Sequence, residues 1–152
     1  MTGPRTPLPP LLHLRPARDA AELAGAMALR RRVFVEEQGL FSGTDEDGHD
    51  ARARHLVAVA DGRVAGTVRV YESDEAGVWL GGRLAVAPEF RGGRAGALLV
   101  LAAMALARDL GASHFWARVQ AGNVEFFLRL GWRVAGEAFE YRGAIHAPME
   151  AW

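Results

Sequence analysis

Arg91-Gly92-Gly93-Arg94-Ala95-Gly96 stands between an apolar run, Trp79 to Val86, and a helix-forming stretch that continues Ala97-Leu98-Leu99-Val100-Leu101. A strand that feeds such a loop, which then opens into a helix, sets unpaired N–H groups beside the positive end of a helix dipole. That arrangement binds phosphate. Gly92, Gly93 and Gly96 carry no side chain to hold a ligand away, and Arg91 and Arg94 add cationic donors. The chemistry this segment can do is to grip a diphosphate. It is not a dinucleotide fingerprint, because the G-x-G-x-x-G spacing is missing. All 18 basic residues are arginine, so a Walker-type phosphate loop and a lysine Schiff base are both excluded.

The second conspicuous run is acidic: Asp45-Glu46-Asp47-Gly48-His49-Asp50. A calcium-binding loop starting at Asp45 would need a carboxylate at its twelfth position, which here is Leu56. No His-Glu-x-x-His exists for zinc, and the chain has no cysteine for thiolate metal sites or disulfides. No metal is expected. A loop this acidic, placed beside a substrate slot, would attract a cationic amine, with Asp47 or Asp50 as the recognising group. Eighteen acidic residues balance the arginines, which argues against nucleic acid as the partner. No apolar run reaches the roughly 20 residues of a membrane span. Met1 to Pro10 holds four prolines and no apolar segment, and reads as a mobile tail rather than a signal peptide. The expected location is the cytoplasm.

The elements that must position these residues can be read along the chain. Leu11 to Arg15 alternates as a first strand. Asp19 caps a helix, with Glu22 placed for a capping box, and the helical pattern of Leu23, Met27, Leu29 and Phe34 runs to about Val35. Ser42 to Arg54 reads as a loop. His55–Ala60 and Val64–Tyr71 flank Asp61-Gly62, a hairpin signal. A strand ends at Val86, the helix after the glycine loop closes at Leu110-Gly111, and His114 to Val119 alternates as a strand. Val124 to Leu130 is a short helix stopped by Gly131. Trp132 to Tyr141 and Ile145 to Met149 form a terminal hairpin about Arg142-Gly143. This order predicts one α/β domain over residues 11–152, with antiparallel hairpins first and then a strand–helix–strand crossover that carries the phosphate loop.

At this level of detail the chain resembles a known family. Arg83-Leu84-Ala85-Val86-Ala87-Pro88-Glu89-Phe90-Arg91-Gly92-Gly93-Arg94-Ala95-Gly96 is similar to the acyl-CoA-binding motif of the GNAT superfamily of N-acetyltransferases, Arg/Gln-x-x-Gly-x-Gly/Ala. Arg91 and Gly96 hold its first and last positions, and Arg94 stands where the middle glycine falls. Asn123 to Trp132 resembles the second CoA-contacting helix of that family with its closing Gly-aromatic pair. Leu29 to Gly39 resembles the Val-Phe-Val-x-Glu-Gln signature of one branch. With Gln120 and His146-x-x-Met149, the combination looks most like members known as nitrogen-starvation N-acetyltransferases. The resemblance covers about Leu12 to Ala151.

It implies a GNAT-like acyl-CoA N-acyltransferase fold: a central, twisted, mostly antiparallel sheet with helices on both faces. It implies acetyl-CoA as donor and a small primary amine as acceptor, with a homodimer as a possible assembly. Main-chain groups of Leu84, Ala85 and Val86 would pair with the pantetheine arm, and the amides from Arg91 to Gly96 would hold the pyrophosphate. Asn123 and Phe127 would lie against the cofactor on the second helix. The strands at Ala85 and Val119 would part to admit the thioester, and the N–H of Val86 would meet the oxyanion. Glu37, His55 and His146 are the candidates for the base that takes the ammonium proton. The family's usual acid is a tyrosine where this chain has Phe127, and a phenyl ring donates no proton. Tyr71 and Tyr141 are the only tyrosines. An acyl-homoserine-lactone synthase is an alternative with the same fold, but its glutamate three residues before the strand arginine is replaced by Leu80. A non-catalytic acyl-CoA sensor is a third reading.

Overall fold

In a computed structural model that describes residues 3, 4, 8 and 10–152, eight strands form one sheet in the order β1-β2-β3-β4-β5-β8-β6, with β7 also paired to β8. The strands are β1 His13–Pro16, β2 Arg54–Ala60, β3 Arg63–Glu72, β4 Val78–Val86, β5 His114–Gln120, β6 Arg133–Val134, β7 Phe139–Tyr141 and β8 Ala144–Glu150. The helices are α1 Ala20–Arg30, α2 Ala95–Asp109 and α3 Val124–Arg129. Most of the expected tail, residues 1–10, lies outside the described residues. Among them, no helix is long and apolar enough to cross a membrane.

Alternation along β2 shows how the sheet is clothed. Leu56 and Ala58 join the core under α2, with Leu99, Val100 and Ala103. Val57 and Val59 face the other way, onto Ala26 of α1. Helices therefore cover both faces, as expected. Asp19 accepts from the N–H of Glu22 at 2.9 Å and starts α1. The chain then widens into a π-helix, Arg31–Glu37, where sequence periodicity gives a plain helix ending near Val35. The hairpin turn Asp61-Gly62 has φ of +50° and +73°, the left-handed pair that a type I′ turn demands.

The terminal hairpin departs from expectation. Its first arm breaks into β6 and β7, because Pro148 on β8 has no N–H to continue the ladder. Gly136 crosses there so closely that a Cβ on it would meet the proline ring at 3.1 Å.

Among the described residues, every strand pairing but one is antiparallel. The exception is β4 with β5, which pair in parallel over only Val78–Leu80 and His114–Trp116. Beyond those three rungs the strands share no ladder, and Gly81–Val86 stands apart from Ala117–Gln120. β4 also bulges: two steps on β3, Thr67 to Arg69, face three on β4, Ala85 to Gly82. Arg83, inside the bulge, takes φ +51°.

Candidate active site

The parting of β4 and β5 opens a cavity of about 360 Å³ that passes through the sheet. On the α2 side its wall is apolar, with Val100, Ala103, Phe115, Phe127 and Trp132. On the other side it is polar and aromatic, with Tyr71, Arg83, Arg118, Gln120, Tyr141 and His146. A second, more open cavity runs beside it, lined by Leu84, Ala85, Val86, Arg91, Gly92, Gly93 and Gly96. Leu84 and Asn123 line both.

The second cavity is the cradle read from the sequence. Its main-chain accounting carries weight: no protein acceptor meets any N–H from Gly92 to Ala97 among the described residues. The first α2 bond in this region is donated by Leu98, to Arg94. Gly92 has φ +82°, which a side chain would strain. Arg94, expected as a cationic donor, and Ala95, expected to offer its amide, are not among the residues lining the cavity. Arg94 immediately precedes α2, and Ala95 is buried beneath it. On α3, Phe126 faces the cradle. Phe127 instead packs edge-on to Trp132, with centroids 5.2 Å apart, and lines the larger cavity.

Val86 occupies a position defined by the ladder. Ala87 donates to Ala65, so the neighbouring pair Gly66 and Val86 is of the non-hydrogen-bonded kind. The Val86 N–H and C=O therefore point away from β3. The C=O accepts from Arg91 Nε at 3.0 Å, leaving the N–H directed at the gap.

The three candidate bases part company. Glu37 receives both terminal nitrogens of Arg91, at 2.5 and 2.6 Å. That arginine holds its carboxyl below the usual glutamate range, so a proton is poorly received there. The π-helical turn brings the two together across 54 residues of sequence. His55 corrects the expectation outright. It faces neither cavity, and its Nε2 is bonded to the carbonyl of Asp50. It closes the foot of the acidic loop. His146 is buried in the wall of the larger cavity. Its ring stacks on Phe139 and meets Tyr141 edge-on. Nδ1 lies 2.9 Å from the carbonyl oxygen of Ala144. A carbonyl only accepts, so Nδ1 carries a hydrogen, and in the neutral ring the lone pair is on Nε2. No protein group is bonded to Nε2 among the described residues.

The acidic loop is not the open cation trap that its composition suggests. Arg30 donates to Asp45 at 2.7 Å and to Asp50 at 2.8 and 3.0 Å. Arg69 holds Asp47 at 2.6 and 2.8 Å and reaches Asp50 at 2.9 Å. Arg83, turned by the bulge, bonds Asp45 and Asp47. Three arginines from α1, β3 and β4 thus neutralise three aspartates. Arg69 leads in holding the Asp47 carboxyl low. Burial works to raise Asp50, but Arg30, the Asp47 N–H and Arg69 outweigh it and hold it down. The docked loop lays His49 flat on Tyr71, with rings 4.3 Å apart and 13° from parallel, at the cavity wall. No group of three or more metal-ligating residues is found among the described residues.

Sequence reasoning passed over Arg118, and it named Tyr71 and His49 without placing them in the cavity wall. Arg118 was within reach: Phe115, Ala117 and Val119 are apolar and enter the α2 core, so Trp116, Arg118 and Gln120 take the opposite face.

A parted parallel pair, a bulged fourth strand and a glycine cradle at the start of α2 coincide with a sequence match. The sequence model of the Acetyltransferase (GNAT) family fits residues 20–132. The chain belongs to the GNAT acetyltransferase family. It is accordingly an acyltransferase enzyme with the GNAT fold, and acyl-CoA is its donor. A Bacillus subtilis (strain 168) protein named as an acetyltransferase is 27% identical over 141 residues, covering 91% of this chain and 95% of its own. Escherichia coli ElaA superposes with a TM-score of 0.82 at 21% identity, over 91% of this chain and 99% of that one. An N-acetyltransferase structure from Lactobacillus plantarum gives 0.80 at 26% identity, over 91% and 96%.

Proposed function

We propose that this GNAT enzyme moves an acetyl group from acetyl-CoA to the primary amine of a small molecule by direct attack. The observation that carries the reading is the row of N–H groups from Gly92 to Ala97 with no protein acceptor, facing the positive end of α2. A diphosphate satisfies them, with Arg91 as a charged donor beside it. The pantetheine arm then runs along Leu84–Val86, where β4 has no partner on its β5 side, and delivers the thioester into the gap.

There the amine nitrogen attacks the carbonyl carbon, and the oxyanion meets the N–H of Val86. The C–S bond breaks and the sulfur leaves as thiolate. The proton lost by the amine goes to Nε2 of His146, whose tautomer is fixed for that task. Phe127 supplies no acid, so the thiolate takes its proton from solvent or from Tyr141, which shares the cavity wall. Glu37 holds both terminal nitrogens of Arg91 in the free protein and so competes with the diphosphate for it. The homoserine-lactone alternative still lacks its carboxylate, since Leu80 is buried in the seam between β4 and β5.

Thiol release from acetyl-CoA with a panel of primary amines tests this reading. The variant H146Q is expected to lose roughly 10²–10⁴ in kcat and to keep its calorimetric affinity for acetyl-CoA. A wild-type kcat in H146Q refutes the assignment of the base. No heat with any acyl-CoA refutes the reading as a whole.

A further inference from the structure

We infer that the acceptor is an α-amino acid: an amine with a carboxylate beside it, held by Arg118. The inference rests on the proposed acetyl transfer at His146 and adds the substrate class. It starts from the charges on the acceptor side of the large cavity. Arg30, Arg69 and Arg83 are matched by Asp45, Asp47 and Asp50. Arg118 lines the same cavity, yet no carboxylate lies within 4.0 Å of it among the described residues. Its guanidinium rests over the Trp116 ring, 4.9 Å from the centroid, a stacking that leaves the planar N–H donors of the fork unblocked. Arg142 adds a second cation without a carboxylate partner, 4.2 Å over Phe41, another residue of the cavity wall. The acceptor side is therefore net positive. A simple alkylammonium is repelled there, and an acceptor that also carries an anion is drawn in.

The register fixes the spacing. Gln120 faces His146 and Arg118 faces Pro148 in the β5–β8 ladder. Arg118 and His146 are thus diagonal neighbours on one face, about 7–8 Å apart at the backbone. Trp116 lies on the side of Arg118 away from Gln120, so the guanidinium swings off that ring toward His146 to take the carboxylate of an α-amino acid whose amine meets Nε2. The aromatic wall of Phe41, Tyr71 and Tyr141 is left for the side chain.

The test offers each proteinogenic amino acid beside its own C-terminal amide, with acetyl-CoA and thiol release as the readout. The amine of the amide loses its proton more readily, so intrinsic reactivity favours the amide and any preference for the acid comes from recognition. For the acceptors turned over, we expect kcat/KM at least about tenfold higher for the acid. In R118Q that ratio falls toward one, chiefly through KM, and in R118E it inverts, with melting curves confirming that both fold. Equal or better turnover of the amides overturns the acceptor assignment alone. An undiminished ratio in R118Q overturns the role of Arg118. Turnover of none of these acids and amides overturns the acceptor assignment, and only failure of the wider panel of primary amines as well removes the transfer reading beneath it.

Discussion

Replacing Gly96 by alanine should move stability and cofactor affinity in opposite directions. Gly96 is the second residue of α2, and its φ is not positive. A Cβ built there would meet Phe126 Cζ at 3.6 Å and Val86 Cγ2 at 3.7 Å, both ordinary van der Waals contacts. The free protein accommodates the methyl without rearrangement. Alanine in place of a helical glycine stabilises by roughly 0.5–1 kcal/mol, or about 1–4 °C in Tm for a chain of this size. The same methyl projects into the cradle, because Gly96 lines it. A diphosphate held off by one side-chain atom loses at least one charge-assisted N–H bond, worth about 1.5–3 kcal/mol. That is roughly a 10- to 100-fold weaker Kd. Gly92 would give no such separation, since at φ +82° any side chain costs about 1–2 kcal/mol in strain. The assay is a thermal melt of the free protein beside a calorimetric titration with acetyl-CoA. Wild-type affinity in G96A refutes the cradle. A fall in Tm together with affinity refutes the packing argument.

Glu37→Gln should release Arg91 for the ligand and strengthen acetyl-CoA binding by roughly 1.5- to 5-fold, the worth of an exposed ion pair; a hundredfold fall in kcat at saturating substrate would instead restore Glu37 as the base. Arg30→Met removes the buried partner of Asp45 and Asp50 and should destabilise by about 3–5 kcal/mol, seen as a lower denaturant midpoint; an unchanged midpoint would show that Arg69 and Arg83 suffice. Acid should weaken the fold through Asp47 and Asp50. Both are held below the usual carboxylate range, so their stabilisation is full above an unfolded value near about 4 and is lost as pH falls through the lower folded values. A Tm that stays level from neutral pH to well below 4 would contradict this.

Local signals made most of the frame legible. Asp61-Gly62, Gly111 and Gly131 sit at positive φ where the sequence places turns and helix ends, because glycine chemistry acts within a few residues. The cradle could be read for the same reason: strand, glycine loop and helix are contiguous. What stayed hidden depends on distant residues meeting. The acidic loop reads as an attractor for a cationic amine until Arg30, Arg69 and Arg83 converge on it from three elements. Glu37 reads as a free carboxylate until Arg91 arrives from the loop before α2. The widened turn at Arg31–Glu37 has no sequence signature of its own. His55 and His146 are both strand histidines in the sequence, and only the sheet tells which one faces the gap.

The three rungs between β4 and β5 leave the sheet as two antiparallel panels joined by a narrow parallel hinge. β1 to β4 form one panel, and β5 to β8 the other. A molecule that lies along the free edge of β4 acts as a rivet across that hinge, supplying rungs that the polypeptide leaves out. Hydrogen exchange at the amides flanking the gap should therefore slow on loading, while the outer strands are indifferent to it.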